Sequence, residues 1–277
     1  MKNKVFEKIF IIILGIPLLI CLAILLWIVA ILLTGIGSLR LEMLTMSVLK
    51  GGIFEMIVGT VYLLVGAVGV TTPVGVFAAV YLVEYSSKGR LTRIIDQAFN
   101  NIAGVPSIVI GLFGFTFFSR LLGLGVSLAA GWLTLMLMML PIVVRGTEEA
   151  LRMVPNTFKE AALALGASKW KVVSSVVIPA AAPGIITSIL LGMARVAGET
   201  AAILFTSCVL VTRGLPSSPL EPVMALAFNL FVKIAIMGEL PERVFGIAII
   251  LFLIVIFIAI LAIALRIYYR RKQPWLR

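Results

Sequence analysis

Two side chains stand out as groups that could act on a ligand. Arg195 and Glu199 form the one clear pair of opposite charges inside an apolar run. Four residues apart, they would share one face of a helix. A charge at mid-membrane depth costs about 2.5–3.5 kcal/mol on insertion scales, and such residues usually face a protein interior or a water-filled cavity. The pair reads in two ways. It is an ion pair that locks its helix in place, or it is part of a pathway in which Arg195 meets an anion that Glu199 holds or competes with. The pair is neutral overall, so it does not by itself select anions. Gly198 beside it permits close backbone approach, and Thr200 adds a hydroxyl. Asn100, Asn101 and Ser107, around Pro106, place further polar groups in another apolar run. They suit hydrogen bonding between packed helices as well as a place on a pathway. With no histidine in 277 residues, histidine catalysis and histidine metal sites are excluded. Cys21 and Cys208 sit in apolar runs with neither disulfide nor metal spacing.

A polar stretch carries a different kind of signal. It runs Glu160-Ala-Ala-Leu-Ala-Leu-Gly166-Ala-Ser-Lys-Trp-Lys-Val-Val-Ser-Ser-Val176-Val-Ile178-Pro179. Thr157 and Glu160 have capping-box spacing, so a helix is expected to start at Thr157. Phe158, Ala161, Ala162 and Leu165 are expected on one face. Gly166 supplies a residue that can take positive φ and end the helix. Ser168 is placed to cap a second helical segment, which is expected to stop at Pro179. A helix this small, with an apolar face and no core of its own, is suited to docking.

The elements that must position these residues are membrane spans. The chain is 62% hydrophobic with a net charge of +11, and its mean hydropathy is +1.20. Several runs exceed the roughly 20 apolar residues that cross a bilayer. The reading is an all-α membrane protein with six transmembrane helices. They are expected over residues 9–33, 52–83 (kinked near Thr71-Thr72-Pro73), 98–118, 126–144 (broken late by Pro141), 184–211 and 244–265. The first run is too long for a signal-peptide core and lacks a clear cleavage site, so it reads as an uncleaved helix. Gly184, Ser188 and Gly192 form a small-residue stripe for a tight helix contact. Residues 212–242 are expected outside, with a short helix over 224–237. Most of the 23 Lys and Arg fall in segments that alternate to one side. This places the chain in the cell membrane, multi-pass, with both termini cytoplasmic.

The polar stretch resembles the cytoplasmic loop of ABC importer permeases, whose pattern is Glu-Ala-Ala, three residues, Gly, nine residues, Ile-x-Leu-Pro. Glu160, Ala161, Ala162, Gly166 and Pro179 match at that spacing, and Val176 and Ile178 replace the usual Ile and Leu. The stretch from Met193 to Thr206 resembles the Ala-Arg-Ile-Ala-Gly-Glu-Thr-Ala-Pro-Leu-Leu-Phe-Thr segment of PstA-type phosphate permeases, with Val196 for Ile and Ala202 for Pro. The run from Ala103 to Gly114 resembles a second stretch of that family.

What the resemblance implies is a type I importer permease architecture. The chain would be a single permease domain over 1–277, with a core at 52–267 and an ATPase-docking loop at 145–180. Its partners would be a second permease subunit (in this family normally a different one, a second copy being the alternative), two ATPase subunits and an external phosphate-binding protein. Glu160, Ala161, Ala162 and Gly166 would carry ATPase docking; Arg195, Glu199, Thr200 and Ser107 would lie on the substrate pathway. No cofactor or metal is expected on this chain, with ATP and Mg on the partner ATPase. No Gly-x-x-x-x-Gly-Lys-Ser/Thr loop is present, so the chain is expected to be a transport subunit and not an enzyme. The alternatives are a permease for another oxyanion (tungstate, molybdate or sulfate), a secondary transporter or channel, and a membrane enzyme.

Overall fold

A computed structural model describes residues 2–38, 40–86, 89–212, 214–238 and 241–272. A long first helix, α1 (Lys2–Thr34), leads through a 3-10 turn at Gly35–Ser38 to a short α2 (Leu41–Thr45). Then come α3 (Phe54–Val80), continued by a π turn at Tyr81–Tyr85, and α4 (Arg90–Ala103). Next is α5 (Ser107–Gly114), continued by a π turn at Phe115–Leu121, followed by α6 (Leu128–Arg152) and a small α7 (Asn156–Ala164). From Lys169 the chain is helical to Ala197: α8 (Lys169–Val172), a π turn at Val173–Val177, and α9 (Ile178–Ala197). The last two helices are α10 (Leu226–Ala235) and α11 (Pro241–Lys272). Among the described residues there is no strand beyond an isolated bridge between Cys208 and Val223.

Among the described residues five helices are long and apolar enough to cross a membrane, and a sixth span arises if a bent pair counts as one. The core is a packet of α3, α6 and α9, with α11 laid against α9. Helices approach closely where one side presents only hydrogen. The expected stripe does this along α9. A Cβ on Gly184 would lie 2.5 Å from Ala150 Cβ, and one on Gly192 would lie 2.7 Å from Met139. Ser188 fills the notch left by Gly146. The apolar window of α1, by contrast, is 0% buried.

Several expected boundaries shift, each for a backbone reason. The third span is not one helix over 98–118, because α4 and α5 meet at a 108° bend. Pro106 disfavours helical geometry at the residue before it. α4 then joins the polar end of the bundle, with only 107–121 left to run through it. Pro141 does not break α6, and Pro73 does not interrupt α3. Inside a membrane bundle a proline's lost hydrogen bond is tolerated, since neighbouring helices, hydroxyls and local adjustments re-satisfy the backbone. The segment after Gly166 does not stop at Pro179, and the fifth span starts well before residue 184. The π turn at 173–177 ends two positions before Pro179 and absorbs the register change there. That span ends at Ala197 and not at Val211.

Residues 198–225 turn back into the bundle. Thr206, Ser207 and Val223 are buried. Ser127 N donates to Thr206 O at 2.9 Å, and Val223 N to Ser207 O at 2.9 Å. The helix expected at 224–237 exists as α10, but it is no surface helix throughout. Leu226, Asn229 and Val232 are buried, and Leu226 N donates to Thr60 Oγ1 of α3 at 2.9 Å.

Candidate functional site: a charged break in the core and an exposed helix

The first site lies where α9 ends. Arg195 Nη1 donates to Glu199 Oε2 at 2.8 Å. The pair forms across the helix terminus, since Glu199 lies beyond Ala197 in the turn that follows. The two ends differ sharply in environment: the Arg195 side chain is 53% exposed and that of Glu199 only 7%. The buried carboxylate is held by a cation whose other nitrogens have no hydrogen-bond partner among the described residues. Arg195 also sits in the last turn of α9, where a cation suits the helix dipole.

Non-helical backbone at this depth is tolerated only where protein buries it or it lines a cavity. Here it does both. A void of about 10 Å³ touches Glu199, Thr60 and Leu135. A second space of about 280 Å³ is bordered by Gly198, Thr200, Phe231 and Ile234. Ser107 opens α5 at the 108° bend and is half-buried. One turn on, Gly111 packs against the backbone of Ala201 and Ala202, with a built Cβ 2.7 Å from Ala201 O. The structure thus brings the start of α5 up to the turn that carries Glu199 and Thr200. It gives no contact between Ser107 and Arg195.

The second site is α7, at the opposite end of α9. The helix starts at Asn156 after Pro155, and Thr157 makes no cap, contrary to the capping-box expectation. Proline in front sets the entry geometry in its place. Its C-terminus follows the sequence reading. Gly166 has φ +80°; its N–H bonds Leu163 O at 2.9 Å and that of Ala167 bonds Ala162 O at 3.2 Å. These are the two bonds of a Schellman cap. Ser168 Oγ then accepts from Lys171 N at 3.4 Å. The expected apolar face divides. Ala162 turns toward the core cluster of α3, α6 and α9, whereas Glu160, Ala161 and Phe158 are exposed. Leu165 is 89% exposed, and Trp170, Leu163 and Met153 are exposed beside it.

Two anchors that sequence spacing could not reveal hold this region, one on α7 and one on the following α8. Lys159 Nζ forms an ion pair with Glu84 in the π turn that ends α3. Lys169 Nζ lies 4.8 Å over the Tyr85 ring, a cation–π contact. A third junction pins α4 to α6. Arg145 donates to Asp96 Oδ1 at 2.9 Å, to Asp96 O at 2.9 Å and to Glu148 Oε2 at 3.0 Å. Glu84 and Lys159 are 75 residues apart in the chain, and Asp96 and Arg145 are 49 apart. Of the segment 145–180, residues 153–168 lie outside the long helices.

Comparison with known proteins follows the same lines. The family described as "Binding-protein-dependent transport system inner membrane component" matches residues 71–274. The chain is 39% identical over 181 residues to the probable ABC transporter permease protein YqgI of Bacillus subtilis (strain 168), covering 64% of this chain and 62% of that protein. It is 46% identical over 154 residues to the phosphate transport system permease protein PstA 1 of Mycobacterium tuberculosis (strain ATCC 25618 / H37Rv), covering 56% of this chain and 50% of the relative. The chain spans about half to two thirds of the length of these curated relatives. Among solved structures, an inward-facing MetNI methionine ABC transporter aligns with a TM-score of 0.60 at 18% identity, over 77% of this chain and 95% of that one. That likeness establishes the shared fold.

Proposed function

The chain belongs to the binding-protein-dependent transport system inner membrane components, and we propose that it is the permease subunit of an ATP-driven phosphate importer. In this reading it forms the translocation pathway with a second, different permease. It couples to two ATPase subunits by alternating access and receives phosphate from an external binding protein. It carries out no chemistry on its substrate; ATP and Mg belong to the partner ATPase. The names of its phosphate-permease relatives support the substrate.

The observation that carries the coupling role is the posture of α7. A helix of nine residues cannot hold itself in water. This one is capped at Gly166 and fixed by Lys159 to Glu84 at the end of α3, while Lys169 of the following α8 lies over Tyr85; Leu165 after α7 and Trp170 of α8 stay uncovered. Glu160, Ala161, Ala162 and Gly166 belong to this docking element, whose apolar residues enter a groove of the ATPase. Closure of the ATPase pair then pulls on α3 and α9 together, since both are fixed to the docked segment. At the other end of α9, Arg195 offers a charge to the passing anion, Glu199 holds Arg195 in place, and Thr200 and Ser107 line the approach. Both termini and α7 face the cytoplasm.

The test is ATPase capture. Leu165→Asp should abolish co-purification of the ATPase while the subunit reaches the membrane at wild-type level. Undiminished capture by that variant would remove the docking role.

A further inference from the structure

A cavity of about 460 Å³ opens at the α7 end of the bundle, away from Arg195 and Glu199. Its floor is made by small residues, Gly146 and Ala150 of α6 facing Ala181 and Gly184 of α9. Its border carries one acid, Glu149, and one base, Arg266 of α11. Among the described residues neither has an ion-pair or side-chain hydrogen-bond partner. The volume lies within the range of about 300–1,000 Å³ typical of small-ligand sites.

We propose that this cavity seats the headgroup of a zwitterionic aminophospholipid, its phosphate on Arg266 and its ammonium on Glu149. Depth is the first argument. Arg266 lies three residues before the end of the apolar span Val244–Tyr269, and Tyr268 and Tyr269 lie two and three residues beyond it. Aromatic residues at a span end mark the headgroup level. Glu149 lies within the last turn of α6, three residues before Arg152. Charge is the second argument. A free phosphate anion would gain from Arg266 but be repelled by Glu149, as would a purely anionic lipid. A headgroup with both signs satisfies both side chains at once. The third argument is the rim: Leu191 and Met153 border the cavity and are exposed, giving acyl chains an apolar exit. None of the residues proposed for the substrate pathway, Arg195, Glu199, Thr200 and Ser107, lines this cavity.

The test is lipid retention. The full chain would be purified in mild detergent from membranes holding equal phosphatidylethanolamine and phosphatidylglycerol, and the bound lipid measured by mass spectrometry. The wild type should retain phosphatidylethanolamine preferentially. Arg266→Gln should lower that retention about tenfold, the loss expected for one charge-assisted contact. Glu149→Gln should shift retention toward phosphatidylglycerol. Thr187→Leu, at a half-buried lining position that leaves both charges and the Gly184–Ala150 contact intact, should lower retention of both, and it carries the test if a charge variant is lost from the membrane. Equal retention of the two lipids by wild type, or an unchanged profile in all variants, would overturn the proposal. So would a disulfide formed between Met153→Cys and a neighbouring permease, because protein would then fill the groove. Retention that responds to added inorganic phosphate would also overturn it, in favour of a free-anion site.

Discussion

At the residue scale, the asymmetry of Arg195 and Glu199 decides what each can do. Removing Arg195 leaves a buried carboxylate unpaired, a desolvation cost of roughly 1–3 kcal/mol or more, softened here because Arg195 is half exposed. Arg195→Ala should therefore abolish uptake while the subunit persists in the membrane. Disappearance of the subunit would instead mark the pair as structural. Exchanging the charges, Arg195→Glu with Glu199→Arg, should restore the amount of protein but not transport, because the exposed end would then repel an anion. Gly166→Val should cost about 1–2 kcal/mol in the left-handed region and weaken ATPase capture. The roles open to Gly166 were legible because positive φ favours glycine and the preceding helix was readable from its pattern. The spacing of Arg195 and Glu199 was legible too. That Glu199 lies past the helix end was not, because nothing between Ala197 and Thr200 except one glycine signals a stop.

At the scale of elements, α7 and the long spans are joined by contacts distant in sequence. Lys159→Ala should reduce ATP-dependent uptake by about five- to tenfold, as expected for loss of one partly buried charge pair, with the subunit amount unchanged. The exchange Lys159→Glu with Glu84→Lys should recover most of it; no recovery would show that the pair does not transmit movement. Gly184→Leu should overpack the α6–α9 contact at a cost of about 1–3 kcal/mol, seen as a lower melting temperature of the purified subunit. The small-residue stripe was readable because its period of four matches one helix face. The bend between α4 and α5 was not, although Pro106 was in view. A hydropathy reading averages over 20 residues and merges an amphipathic helix with the apolar one after it. Pro141, Pro73 and Pro179 misled in the opposite direction, since prolines end helices in water more readily than within a packed membrane bundle.

At the scale of the whole molecule, composition and charge bias were enough for a six-span helical membrane protein; the permease reading came from the resemblance of the Glu160–Pro179 and Met193–Thr206 stretches. The inward return of residues 198–238 was hidden because its polar, turn-rich start resembles any exposed loop, while the hydrogen bonds that bury it come from Ser127 and Thr60, far away in the chain. The orientation has its own test. Ser168→Cys should react with an impermeant maleimide only in inside-out vesicles, and Ser217→Cys only in right-side-out ones. The central claim is that this chain turns ATP hydrolysis by a partner into anion movement. The most direct measurement is uptake of labelled phosphate into vesicles holding the assembled complex, with ATP and the binding protein, competed by sulfate and molybdate. The account predicts uptake that requires ATP and is blocked by unlabelled phosphate alone. Block by molybdate would replace the substrate and keep the coupling; uptake indifferent to ATP would contradict the account at its base.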